Sequence, residues 1–198
     1  MISLIALRAR WRMLTSPSNL NVFLGASVAV LGLWLIKTGI KPGLDFHLLG
    51  ATTLTLMFGP WFALLSLALV CAAQTLHSGE FNAYPANLLI MGTVPVSVSW
   101  LLYRLTDTRL PNHLFIYIFL NGFLGAALAM AATGLSATLF AAMASSYSLP
   151  YLLEEYLPFY LLMAWAEGLS TGMIITLLVI YRPDWVSTFD DRRYLNAR

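Results

Sequence analysis

The chain has 198 residues, of which 59% are apolar and only 10% charged, with a mean hydropathy of +0.76. A soluble domain carries about 25% charged residues, so this sequence lacks the charge to coat a water-facing surface. That excludes a soluble enzyme, a disordered chain and a nucleic-acid binder; the net charge of +2 rests on a few arginines at membrane edges. Cys71 lies inside an apolar run and provides neither a disulfide framework nor a cysteine metal cluster.

Met1 to Leu7 is apolar and is followed by Arg8, Arg10 and Arg12. A signal peptide has the reverse order, charge first. Residues 1–19 therefore read as a basic segment at the membrane surface, anchored by Trp11. A first span runs from Leu20 to Ile36 and stops at Lys37-Thr-Gly-Ile-Lys41-Pro42-Gly43, a loop signal. Leu44 to Leu76 is an apolar run of 33 residues, too long for one ordinary helix. Gly59-Pro60-Trp61 divides it, because proline removes a helix donor and restricts the residue before it. A short second span (45–58) and a third (61–77) result. The fourth is expected at 86–103, the fifth at 113–133 and the sixth at 157–181. Residues 134–156 either extend the fifth span or form a partial helix at the surface.

The expected fold is thus all-α, a polytopic bundle of about six transmembrane helices. One transmembrane domain covers 20–181, and 182–198 is a basic cytoplasmic tail. With six spans and both termini in the cytoplasm, nine arginines fall inside and only Lys37 and Lys41 outside, which is the positive-inside pattern. An inner-membrane location is expected. Asp45, His47, His77, Glu80, Glu154 and Glu155 then lie at the outer face, and His113 at the inner one.

Glu167, within Ala164-Trp-Ala-Glu-Gly-Leu-Ser-Thr-Gly172, falls near mid-membrane, where a charge costs roughly 2.5–3.5 kcal/mol. Such a group either orders the bundle or acts directly, and the adjoining Gly168, Ser170 and Gly172 favour close helix packing. His47 begins a span two residues after Asp45, and a neutral imidazole is a common ligand for nickel, cobalt, copper and zinc. His77 closes the following span. If the two spans form a hairpin, His47 and His77 meet, with Asp45 and Glu80 as outer supporting groups. Gln74, Asn87 and Asn121 are further polar residues inside spans, more often helix glue than ligands. Thr52, Thr53 and Thr55 are expected to bond back to their own helix. Gly25-xxx-Ala29 suits helix contact. The dispersed methionines read as core filler. No nucleotide loop or catalytic triad is visible, so no enzymatic activity and no organic cofactor are expected.

His47-Leu-Leu-Gly50, Phe58-Gly-Pro-Trp61, Gln74, Ala86-Asn87 with Met91-Gly92, Glu167-Gly168-Leu169 and Arg182-Pro183 occur in that order. Together they resemble the CbiM/NikM family, the membrane substrate-capture subunits of energy-coupling-factor cobalt and nickel transporters. The likeness covers roughly 44–105 and, more loosely, 157–185. It implies a bundle that takes a divalent metal from the outer side as substrate. The metal is handed across with an energy-coupling transmembrane partner and ATPases, the arrangement of an ABC transporter permease. The family's site uses the N-terminal amine, a histidine directly after the first methionine, and a histidine at the start of a later span. His47 matches the last, whereas Met1-Ile2-Ser3 lacks the second-position histidine and marks a divergent member.

Three functions follow as expectations. The first is capture or transport of a divalent transition metal (nickel, cobalt, copper or zinc), with His47 as ligand and partner subunits in the membrane. The second is a non-transport subunit or assembly factor that keeps the bundle and docks onto another complex through its basic ends. The third is capture of a small organic molecule.

Overall fold

The computed structural model describes residues 16–36, 38–41, 44–144 and 147–194. The expected surface segment at the N-terminus therefore lies almost wholly outside the described residues. Five helices are long and apolar enough to cross a membrane: α1 (Pro17–Leu35), α3 (Pro60–Ser78), α4 (Phe81–Arg109), α5 (Leu114–Met143) and α6 (Leu149–Tyr181). The shortest has 19 residues, about 28 Å at 1.5 Å per residue, close to the ~30 Å hydrocarbon layer. Proline opens α1 and α3, where its missing N–H has no intrahelical partner to lose. The stretch 134–156 is shared out: α5 continues to Met143 and α6 starts at Leu149.

The remaining predicted span, 45–58, is helical only over α2 (Ala51–Phe58). Ahead of it lies an antiparallel hairpin of β1 (Thr38–Lys41) and β2 (Leu44–Phe46), pairing Thr38 with Phe46 and Gly39 with Asp45. This hairpin adds a small strand pair to an otherwise helical bundle. From β2 the chain runs back along α1 without helical structure over 47–50. A Cβ on Gly50 would touch Val30, and Phe58 meets Phe23 edge-on at 5.4 Å between ring centroids. Residues 44–58 thus return antiparallel to α1, half without a helix and half as α2. Gly59, at φ +79°, turns the chain into α3.

α5 and α6 approach each other through small residues. A Cβ at Gly122 would sit 3.4 Å from the Gly172 Cα, and one at Gly168 would sit 3.0 Å from the Phe123 carbonyl. Gly134 leaves its space to the Tyr160 ring. This agrees with the packing read from Gly168 and Gly172, whereas Ser170 lines a groove between α1, α2 and α6. Between other helices, short polar pairs do the joining. Ser27 and Ser66 hydroxyls lie 2.7 Å apart, as do those of Thr52 and Ser99, and Thr106 donates to Asn121 Oδ1 at 2.7 Å. Thr55 donates back to Ala51 as expected. Thr52 and Thr53 instead reach across, Thr53 to Thr171 on α6.

The stretch assigned as a tail is packed over its described part. Val186, Phe189 and Tyr194 are buried, Arg193 pairs with Asp107 at 2.8 Å, and a short helix α7 (Asp191–Tyr194) ends it. Burial, with Tyr103 and Asp107 alongside, raises the Tyr194 phenol above its ordinary range.

Replacing Gly134 by leucine is expected to push the Tyr160 ring aside and cost about 1–3 kcal/mol of stability. Gly25→Ala meets nothing within 4 Å and is expected to be neutral. Thermal unfolding of the two variants in detergent, followed by circular dichroism, checks the contrast.

Candidate functional site

Apart from the Gly50 carbonyl, which accepts from Leu54 N–H at 3.1 Å, residues 47–50 enter the bundle without helical hydrogen bonds, and buried backbone groups must find partners. Three come from neighbouring helices. The Trp34 indole Nε1–H of α1 donates to the Leu49 carbonyl at 3.0 Å. Leu49 N–H donates to Glu167 Oε2 and Gly50 N–H to Oε1, each at 2.8 Å. Glu167 is only 2% exposed, so each carboxylate oxygen is spent on one backbone donor. The same carboxylate faces the N-terminal end of α2, where the helix leaves donors open and favours negative charge. Gly50 adopts φ +64°, a conformation glycine reaches without the Cβ penalty.

The other end of α2 is closed by chain from beyond α6. Ser187 N–H donates to the Met57 carbonyl at 2.9 Å and Thr188 N–H to that of Leu56 at 3.3 Å. Thr188 Oγ1 also donates to Leu56 at 2.7 Å, and its oxygen lies 2.6 Å from the Tyr117 hydroxyl. α6 and the turn after it therefore hold both ends of a helix only eight residues long.

That scaffold fixes His47, which is 4% exposed. Its ring lies against Trp34 at 4.5 Å between centroids. Nδ1 is 3.1 Å from the Leu48 carbonyl. A carbonyl only accepts, so in this contact Nδ1 carries a proton. His47 forms part of the wall of a cavity of about 450 Å³. Asp45, Gln74, Glu80 and Asn87 line the same cavity, so five of the residues singled out in the sequence come together. His77 does not join them. It sits exposed on the last turn of α3, because the second span reaches this end as extended chain and not as the outer turn of a helical hairpin. Among the described residues no group of three His, Cys, Asp or Glu side chains is close enough to hold a metal ion.

Sequence reading missed two parts of this wall. Asn82 stands in the short 3₁₀ turn that opens α4, and Tyr156 ends a π-helical stretch, Leu152–Tyr156. A second π-helical stretch, Leu88–Thr93, brings Ile90 and Met91 to the cavity. Such wide turns gather near functional sites, but nothing in residue type announces them. On the opposite side of residues 47–50 runs an apolar groove of about 620 Å³ between α1, α2 and α6. Gly25, Ala29, Leu48 and Gly50 face it, with Ser18, Asn21, Thr53, Glu167, Ser170 and Thr171 as its polar points. The non-helical segment is thus a partition, polar cavity on one side and apolar groove on the other.

Residues 1–185 match the family described as the cobalt uptake substrate-specific transmembrane region. No curated protein matches the chain. Two solved structures share its architecture. A truncated transition metal transporter superposes with a TM-score of 0.71 at 21% identity, covering 91% of this chain and 88% of its own. A second transition metal transporter gives 0.68 at 22% identity, covering 89% and 82%. At these identities the likeness shows the fold.

Gly50→Ala is expected to lose roughly 1–2 kcal/mol from the left-handed backbone alone, with the new methyl also meeting Val30 at 2.8 Å. Its melting temperature in detergent should fall clearly below that of Gly79→Ala, where the same left-handed backbone (φ +77°) has no steric neighbour within 4 Å.

Proposed function

The chain belongs to the cobalt uptake substrate-specific transmembrane family, and we propose that it captures a divalent transition metal in the cavity walled by His47. The observation that supports this reading is the imidazole itself. It is buried in an apolar bundle, held by its contact with the Leu48 carbonyl, and set on a cavity with two carboxylates and three side-chain amides. Imidazole nitrogen suits nickel, cobalt, copper and zinc. His47 Nε2 is the proposed donor, and Asp45 and Glu80 draw the cation in from the mouth. Gln74 and Asn87 orient what enters. His77, off the cavity wall, takes no part. Glu167 acts as a positioning residue: it fixes Leu49 and Gly50, and they fix His47.

In the proposed orientation the cavity opens to the outer side of the inner membrane and both termini lie in the cytoplasm, as the arginine distribution favours. The chain binds and hands on its cargo without reacting with it. Energy for release comes from partner subunits, an energy-coupling transmembrane protein and ATPases, since this sequence carries no nucleotide motif.

Equilibrium dialysis of the detergent-purified protein against nickel or cobalt tests the site. His47→Ala is expected to weaken binding by about 100-fold, the upper end of what even supporting residues of metal sites cost, while His77→Ala retains it. Equal affinity in His47→Ala and the parent would remove His47 from the site.

A further inference from the structure

α2 ends in an arrangement that its own helix cannot complete. The Leu56 carbonyl would take the N–H four residues on, but that residue is Pro60, which has none. Thr188 supplies the donor twice over, with its backbone N–H at 3.3 Å and its hydroxyl at 2.7 Å. Ser187 N–H takes the Met57 carbonyl at 2.9 Å. These donors come from a strap, residues 183–194, that follows α6 at the end of the bundle opposite the hairpin and the polar cavity. Asn19, near the start of α1, shares a small cleft with Ser187 there.

The strap is itself pinned. The Thr188 hydroxyl has given its one proton to Leu56, so the Tyr117 hydroxyl, 2.6 Å away, donates to it. The Tyr103 hydroxyl donates to the Thr188 carbonyl at 3.3 Å. The Phe189 ring meets those of Tyr117 and Tyr194, each at 5.1 Å between centroids. Further along, Arg193 Nη1 meets Asp107 Oδ1 at 2.8 Å, and the Tyr194 hydroxyl donates to the same oxygen at 3.3 Å. This ion pair is half open to water, the Arg193 side chain being 43% exposed. At the other end the turn out of α6 is stiff: Trp185 N–H donates to the Arg182 carbonyl at 2.9 Å, and the Arg182 guanidinium lies over the Trp185 ring.

α2 therefore hangs from α6 at both ends, by Glu167 at its start and by the strap at its finish. A helix of eight residues is not stable alone, so loosening one anchor is felt at the other. We propose, building on the metal-capture reading, that residues 183–194 are a latch. Seated, the latch holds α2 and with it the segment from His47 to Gly50. Lifted at its Arg193 end, it frees α2 and loosens that segment from the far end of the bundle, and bound metal leaves faster. The partner subunits then have a point of action remote from the cavity.

The test compares the full chain in detergent with Thr188→Val, Arg193→Asp and the charge-swapped pair Asp107→Arg/Arg193→Asp. Hydrogen exchange by mass spectrometry is the first readout, and release of preloaded radiolabelled nickel is the second. Thr188→Val is expected to speed exchange in peptides covering Leu49, Gly50 and α2 about tenfold, the effect of about one hydrogen bond. Arg193→Asp is expected to do so about threefold, and the swapped pair to restore protection. α3 and α5 keep theirs, and nickel release quickens in the same order. Faster exchange confined to residues 183–194 would overturn the latch, as would equal loss of protection in every helix or no change in any. A parent protein that retains no nickel would remove the metal-capture reading, and the exchange pattern would still decide the latch.

Discussion

The backbone from His47 to Gly50 enters the bundle without a helix of its own, and the Glu167 carboxylate makes that tolerable. Two buried N–H groups left without partners would cost about 1–3 kcal/mol each. A glutamate within a span costs roughly 2.5–3.5 kcal/mol. Each problem is the solution to the other: the paired 2.8 Å hydrogen bonds satisfy both donors and both oxygens at once. Both bonds form at the N-terminal end of α2, where the helix leaves its donors open.

Several features of the molecule follow from this arrangement. α2 is too short to be stable alone, so its two ends are held from α6 and from Ser187 and Thr188 beyond it. Those contacts join residues more than a hundred positions apart and tie α6 and the segment after it to the first third of the chain. With Leu49 and Gly50 fixed, Trp34 can close over the Leu49 carbonyl and lie tilted against the His47 ring. The imidazole is therefore presented to the polar cavity by a chain of contacts that begins at Glu167. On the other side of the same segment, the apolar groove remains separated from that cavity.

Much of the bundle was legible because spans of 19 or more apolar residues have few alternatives. The break at Gly59-Pro60 was legible too, since proline ends one helix and starts the next. Residues 38–46 were not: each strand has only three or four residues, and their pairing is a register, which no local pattern encodes. The partners of Glu167 are backbone N–H groups, and these carry no residue signature at all. His47, Asp45, Glu80, Gln74 and Asn87 were picked out by chemistry and do share one cavity. His77 was grouped with them on the assumption of a helical hairpin, and the extended entry of residues 44–50 removes that assumption. The buried Val186 and Phe189 sit in a sequence whose arginines suggested a solvated tail, so charge masked the apolar positions between.

The central claim is that Glu167 holds Leu49 and Gly50 and through them His47. Hydrogen exchange of residues 44–58, measured by mass spectrometry on the parent and on Glu167→Gln in detergent, tests it most directly. Glutamine keeps the size but offers one oxygen and one amide group to two N–H donors. The account predicts that peptides covering Leu49 and Gly50 lose protection while α3 and α5 keep theirs. Protection of that segment unchanged in Glu167→Gln, in a protein that is otherwise folded, would contradict it.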